Sequence, residues 1–118
     1  METNSVNPNE INTSELTVIA HDAKITGTLE IRSDLHFFGQ INGEIKGYPG
    51  SIIYLKEGSL VEGKISAETV VVEGFVKGYM HCTGKVTITS YGRLVGSIKT
   101  ASLVVEPGAI FEADVGMT

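Results

Sequence analysis

A five-residue pattern, apolar-x-Gly-x-apolar, recurs along the sequence and leaves few folds open. It reads Ile25-Thr26-Gly27-Thr28-Leu29, Ile41-Asn42-Gly43-Glu44-Ile45 and Val61-Glu62-Gly63-Lys64-Ile65. It returns as Val76-Lys77-Gly78-Tyr79-Met80 and Leu94-Val95-Gly96-Ser97-Ile98. A sixth copy, Phe111-Glu112-Ala113-Asp114-Val115, puts Ala where the others have Gly. Successive centres lie 16, 20, 15, 18 and 17 residues apart, a mean period of about 17. A second Gly precedes most copies (Gly39, Gly58, Gly74, Gly92, Gly108), and before it stands a β-branched run such as Val70-Val71-Val72 or Val86-Thr87-Ile88.

This period is too short for a propeller blade or a two-helix repeat, which need roughly 33 residues or more. It fits one winding of a β-solenoid. About 17 residues at ~3.3 Å give a perimeter near ~56 Å, enough for three short sides. Windings would stack about 4.8 Å apart through parallel backbone pairing. Alternation points the two apolar residues and the Gly inward and leaves the x positions to water. The stacked Gly either narrows one strip of the interior or lets the chain bend where a Cβ would clash. A β-sandwich with Gly-rich turns is the plain alternative, but turn glycines need not keep fixed apolar neighbours. Composition agrees: Val plus Ile number 24 against 13 for Leu plus Ala, and Gly contributes 14 of 118 residues. Such a balance favours strands over helices.

The expected organisation is a disordered polar tail over residues 1–15, a β-helix over 16–115 and a short end at 116–118. The tail holds four Asn and three Glu with no Lys or Arg. It should be repelled by anionic lipid, so no direct membrane binding is expected. No apolar run is long enough for a transmembrane helix, and the first residues lack the basic and apolar segments of a secretory signal. A net charge of −5 with nine scattered basic residues argues against nucleic acid as a partner. Cys82 is the sole cysteine, so no disulfide framework exists and a reducing, cytoplasmic setting is expected.

The residues also carry a family likeness. Thr17-Val18-Ile19, Gly27 through Ile31, Gly63-Lys64-Ile65 and Val70 through Gly74 resemble the bactofilins, bacterial polymer-forming cytoskeletal proteins. The stretch from Gly92 through Thr100, and then from Leu103 to Glu112, is the part most similar. The resemblance covers about residues 16–115. It implies an all-β, right-handed parallel β-helix of about six windings that assembles without nucleotide into filaments. It also implies roles in bacterial cell shape or polar organisation, with cell-wall-modifying enzymes or their membrane anchors as partners. Like-to-like, nonpolar junctions between subunits are implied by the family alone.

A solenoid's first and last windings expose unpaired N–H and C=O groups and an apolar cross-section. Nothing in the sequence reads as a cap. Self-association through both ends is therefore expected, with Leu103, Val105, Ile110, Phe111 and Val115 at the C-terminal end. The N-terminal end is assigned Leu16, Val18 and Ile25. Phe111 is the bulkiest residue in a column otherwise holding Ile25, Ile41, Val61, Val76 and Leu94. The family likeness implicates an aromatic there in assembly.

Catalytic chemistry has little support. His21, His36 and His81 share no metal-ligand spacing, and adjacent His81 and Cys82 face opposite ways on a strand. No orienting neighbour marks a Cys–His nucleophile pair, and acidic residues stand singly at outward positions. Gly-x-x-Gly spacings occur without a following helix, so no phosphate cradle is expected. No enzyme activity, cofactor or metal is expected. The rival reading is a left-handed β-helix acyltransferase-like trimer, but the six-residue register of such folds breaks at each Gly pair. Tyr48-Pro49-Gly50, in the longest repeat, is expected to bulge as a loop from one corner.

Overall fold

A computed structural model of the chain describes residues 16–117. The expected tail lies outside the described residues apart from its boundary at Leu16. Nine strands follow one another: β1 (Leu16–Ile19), β2 (Lys24–Ile31), β3 (Asp34–Phe37), β4 (Gln40–Gly47), β5 (Ile52–Leu55), β6 (Leu60–Val72), β7 (Phe75–Ile88), β8 (Arg93–Val105) and β9 (Ile110–Met117). Every pairing between them is parallel. The described chain is an all-β solenoid of six windings.

Each winding runs along three faces. Face 1 is β1, β3, β5 and then residues 69–72, 85–88 and 102–105. Face 2 begins at β2 and stacks 24–26, 40–42, 60–62, 75–77, 93–95 and 110–112. Face 3 stacks 28–31, 44–47, 64–67, 79–82, 97–100 and 114–117. The glycines of the repeat pair in one unbroken ladder, Gly27, Gly43, Gly63, Gly78 and Gly96, with Ala113 last. The 15-to-20-residue spacing is thereby the true winding register.

Inward positions form continuous apolar columns. Ile41, Val61, Val76 and Leu94 are at most 2 % exposed, as are Ile45, Ile65, Met80 and Ile98 on the next column. Face 1 contributes Leu35, Ile53, Val70 and Val86 to one column and Phe37, Leu55, Val72 and Ile88 to another, all at 0 %. Burying each such side chain stabilises the coil by about 1.5–3 kcal/mol. β-branched residues suit this arrangement because their stiff side chains pack well on a pleated surface.

The glycine ladder settles the choice between a narrow interior and a bend. All five glycines have positive φ, from +120° to +151°. They are partly or fully exposed while the apolar residues two positions away are shielded. They therefore make the corner between faces 2 and 3 rather than pointing inward with their neighbours. A Cβ on Gly63 would overlap the carbonyl oxygen of Gly43, and one on Gly43 that of Gly27. Ala113 has no positive φ, so the last winding turns this corner differently.

Corner length accounts for the uneven repeat. Between faces 1 and 2, windings one, three, five and six make turns closed by Ala23 N–H to Ala20 O, Ser59 N–H to Lys56 O, Gly92 N–H to Thr89 O and Ala109 N–H to Glu106 O. Windings two and four cut the corner short at Gly39 and Gly74. A Cβ on Gly74 would come within 2.7 Å of Lys56 O, so the short corner nests on the turn before it. Tyr48-Pro49-Gly50 is a turn between faces 3 and 1, closed by Ser51 N–H to Tyr48 O at 3.1 Å.

Gly63→Ala should therefore cost at least about 3 kcal/mol, from steric overlap added to an unfavourable φ. Gly50→Ala carries φ +93° but meets nothing within 4 Å, and should cost only about 1–2 kcal/mol. Thermal unfolding followed by circular dichroism would rank the two, and equal losses would contradict the stacking account.

Candidate self-assembly ends

At the C-terminal end, Leu103 lies over Val86, Val105 over Ile88, Phe111 over Leu94 and Val115 over Ile98. These four share the inward parity and form one apolar cross-section. The columns they complete are sealed below, but Val105 is 42 % and Val115 45 % exposed because no described winding covers them. Ile110 pairs with Arg93 and stands 47 % exposed on face 2. It borders the cross-section rather than belonging to it.

The N-terminal end differs from the expectation in detail. Ile25 lies in the inward column beside Ile41. Leu16 and Val18 pair with Asp34 and His36, on the outward parity of face 1, and are 50 % and 57 % exposed. The inward places of that strand belong to Thr17 and Ile19, which lie against Leu35 and Phe37. Thr17 is tolerated there because its Oγ1 shares a 2.8 Å hydrogen bond with Ser33 Oγ. Aligning Thr17-Val18-Ile19 with Leu35-His36-Phe37 and Ile53-Tyr54-Leu55 reveals this parity. Sequence alternation alone takes the larger apolar residues as the inward ones. The terminal cross-section is thus Thr17, Ile19, Ile25 and Leu29. Gly27 belongs to it as well: a Cβ there would meet nothing within 4 Å, since no described carbonyl lies beyond it.

Both ends also present backbone. Among the described residues, β1, β2 and β9 each pair on one side only. The other row of N–H and C=O groups is a template for another strand. Two apolar, hydrogen-bond-hungry cross-sections at opposite ends of a stiff coil can each accept a further winding.

The remaining chemically capable side chains are scattered. No group of three or more His, Cys, Asp and Glu stands close enough for a metal among the described residues. His36 lies edge-on to Tyr54, with ring centroids 4.7 Å apart, and His81 lies beside Tyr79 on face 3. Cys82 is fully buried in the column between Ala67 and Thr100. Burial pushes its thiol up to about 12, because the charged thiolate loses its hydration. Tyr48-Pro49-Gly50 is tied down: Glu68 Oε1 accepts from Gly50 N–H at 2.8 Å, and the Arg32 guanidinium lies 4.5 Å over the Tyr48 ring.

These features converge with what the chain resembles. Residues 17–116 match the family model described as "Bactofilin: Polymer-forming cytoskeletal". The chain belongs to the bactofilin family. Two curated relatives come from Myxococcus xanthus. Bactofilin BacO is 30% identical over 101 residues, 86% of this chain and 79% of BacO. Bactofilin BacP is 28% identical over 101 residues, again 86% of this chain but only 41% of BacP. The chain thus spans about two fifths of BacP's length. No solved structure matches it significantly. The family is one of structural cytoskeletal proteins, and among the described residues no helix is long and apolar enough to cross a membrane.

Thiol chemistry offers a check on the fold. With its pKa raised, Cys82 stays protonated in the folded coil well above neutral pH. The raised pKa contributes stability below pH about 9, and that contribution is lost as pH rises toward about 12. In the folded protein at pH 8, Cys82 should resist alkylation by iodoacetamide and react on addition of denaturant. Rapid labelling of the native form, read by mass spectrometry, would contradict its burial.

Proposed function

We propose that the chain polymerises end to end, without nucleotide, into filaments that scaffold cell shape or the organisation of poles and cell wall in the bacterial cytoplasm. The carrying observation is the pair of apolar cross-sections, Leu103, Val105, Phe111 and Val115 at one end and Ile19, Ile25 and Leu29 at the other. Each ends a core whose interior columns are sealed. Stacking another subunit there buries the apolar surface and pairs the backbone in one step.

The likeness to a polymer-forming family supports the same reading. Like ends meeting would make each junction two-fold symmetric and the filament nonpolar. The principal partner is then a second copy of this chain. Cell-wall-modifying enzymes or their membrane anchors would dock along the sides, and any membrane location would come through them. The protein is read as a scaffold and not an enzyme.

Phe111→Arg tests this directly. An unpaired guanidinium in a junction that must be desolvated costs several kcal/mol. Each winding contacts only its neighbours, so the damage should stay at the end of the coil. Electron microscopy should show no filaments, while circular dichroism retains the β signal of a soluble monomer or dimer. Normal filaments would place Phe111 away from the junction; loss of the β signal would make it a residue of the fold.

A further inference from the structure

The three faces of the coil are not alike. Among the twelve outward positions of each, face 3 carries six charged residues and face 2 carries five. Face 1 carries two, Asp34 and Lys85. Its outward column reads Val18, His36, Tyr54, Val71, Thr87 and Val104, with Val18 57 % and Val104 39 % exposed. Beside it run Leu16, Asp34, Ile52, Thr69, Lys85 and Ser102. This is a sparsely charged β surface running from the first winding to the last, with the Lys56 ammonium at its edge 5.8 Å from the centre of the Tyr54 ring.

The order of residues on that face is self-complementary. A two-fold axis along the strand direction, between the third and fourth windings, would set a second copy face to face and antiparallel. Each winding then meets its mirror in order: first with sixth, second with fifth, third with fourth. Asp34, in the second winding, meets Lys85 of the other copy, in the fifth. The two charges of the face thus cancel across the contact, twice. Val18 meets Val104 and Tyr54 meets Val71, while Leu16 and Ile52 meet the small hydroxyl residues Ser102 and Thr69. Asp34 is held for this role, since one carboxylate oxygen accepts from Ile52 N–H at 2.9 Å and fixes the group on the face.

The area sets when the contact forms. Four residues of strand by six windings is about 13 by 29 Å, or roughly 380 Å² per copy. A stable two-protein interface needs about 800 Å² per partner. One coil alone falls short, whereas a filament repeats the contact with every subunit and gains by multivalency. We propose that face 1 is the lateral contact between antiparallel copies of this chain in neighbouring filaments, and that it forms only after end-to-end assembly. This rests on the polymer proposed above.

Negative-stain microscopy of the full chain at low salt tests it. The wild type should show filaments in lateral pairs. Lys85→Asp changes an exposed side chain and sets like charges opposite one another, so it should give single filaments of ordinary length. Adding Asp34→Lys should restore the pairs. Val71→Lys, which leaves the Asp34–Ile52 bond intact, should also give single filaments. Paired filaments in both Lys85→Asp and Val71→Lys, or wild-type filaments that never pair, would overturn the lateral contact while leaving end-to-end assembly standing. A wild type without filaments would overturn both.

Discussion

Parallel backbone pairing between successive windings is the interaction on which the rest of this molecule depends. Each winding is held by the one before it, and the columns of the core exist only because the register repeats residue for residue. A ladder of this kind has no internal reason to stop. That pairing lays Val76 on Val61, Leu94 on Val76 and Phe111 on Leu94, and beyond Phe111 it leaves a backbone row open among the described residues. On the proposal made above, polymerisation would draw on the same kinds of force, backbone pairing and apolar burial, that hold the windings together.

The glycine column is the geometric condition for that ladder. At +120° to +151°, the backbone turns from face 2 to face 3 while the carbonyl of each winding sits where the next would carry a Cβ. The stack thereby tightens around a residue that has none. The same condition leaves the outward faces free to differ. Faces 2 and 3 spread charge and pair some of it, as in the 3.7 Å Lys77–Glu62 bridge. Face 1 keeps its charges to two, which separates a solvated surface from one suited to contact.

Much of this was legible in the sequence, because a solenoid writes its register as a repeat. The five glycines, Ile45, Ile65 and Met80 fall into their columns from spacing alone. Two features were not legible. Thr17 takes an inward place although Leu16 and Val18 are more apolar, since register with Leu35 and Phe37 outweighs local hydrophobicity. The second glycine of each repeat looks like one signal but has two causes. Gly58 and Gly108 supply positive φ in four-residue turns, whereas Gly39 and Gly74 clear space for a neighbouring carbonyl. Spacing records that a glycine is needed and is silent on which constraint needs it. At the C-terminal end the repeat placed Phe111 and Val115 in their inward columns, but Ile110, outward and 47 % exposed, shows that apolar character does not fix parity.

X-ray fibre diffraction from oriented filaments of the nucleotide-free protein tests the central claim most directly. Coaxial stacking of coils puts every strand across the filament axis. The account predicts a sharp meridional reflection near ~4.8 Å, with an axial subunit repeat of about 29 Å, or about 58 Å if like ends alternate. A reflection near ~4.8 Å lying on the equator would show coils joined side by side instead, and would contradict assembly through the ends.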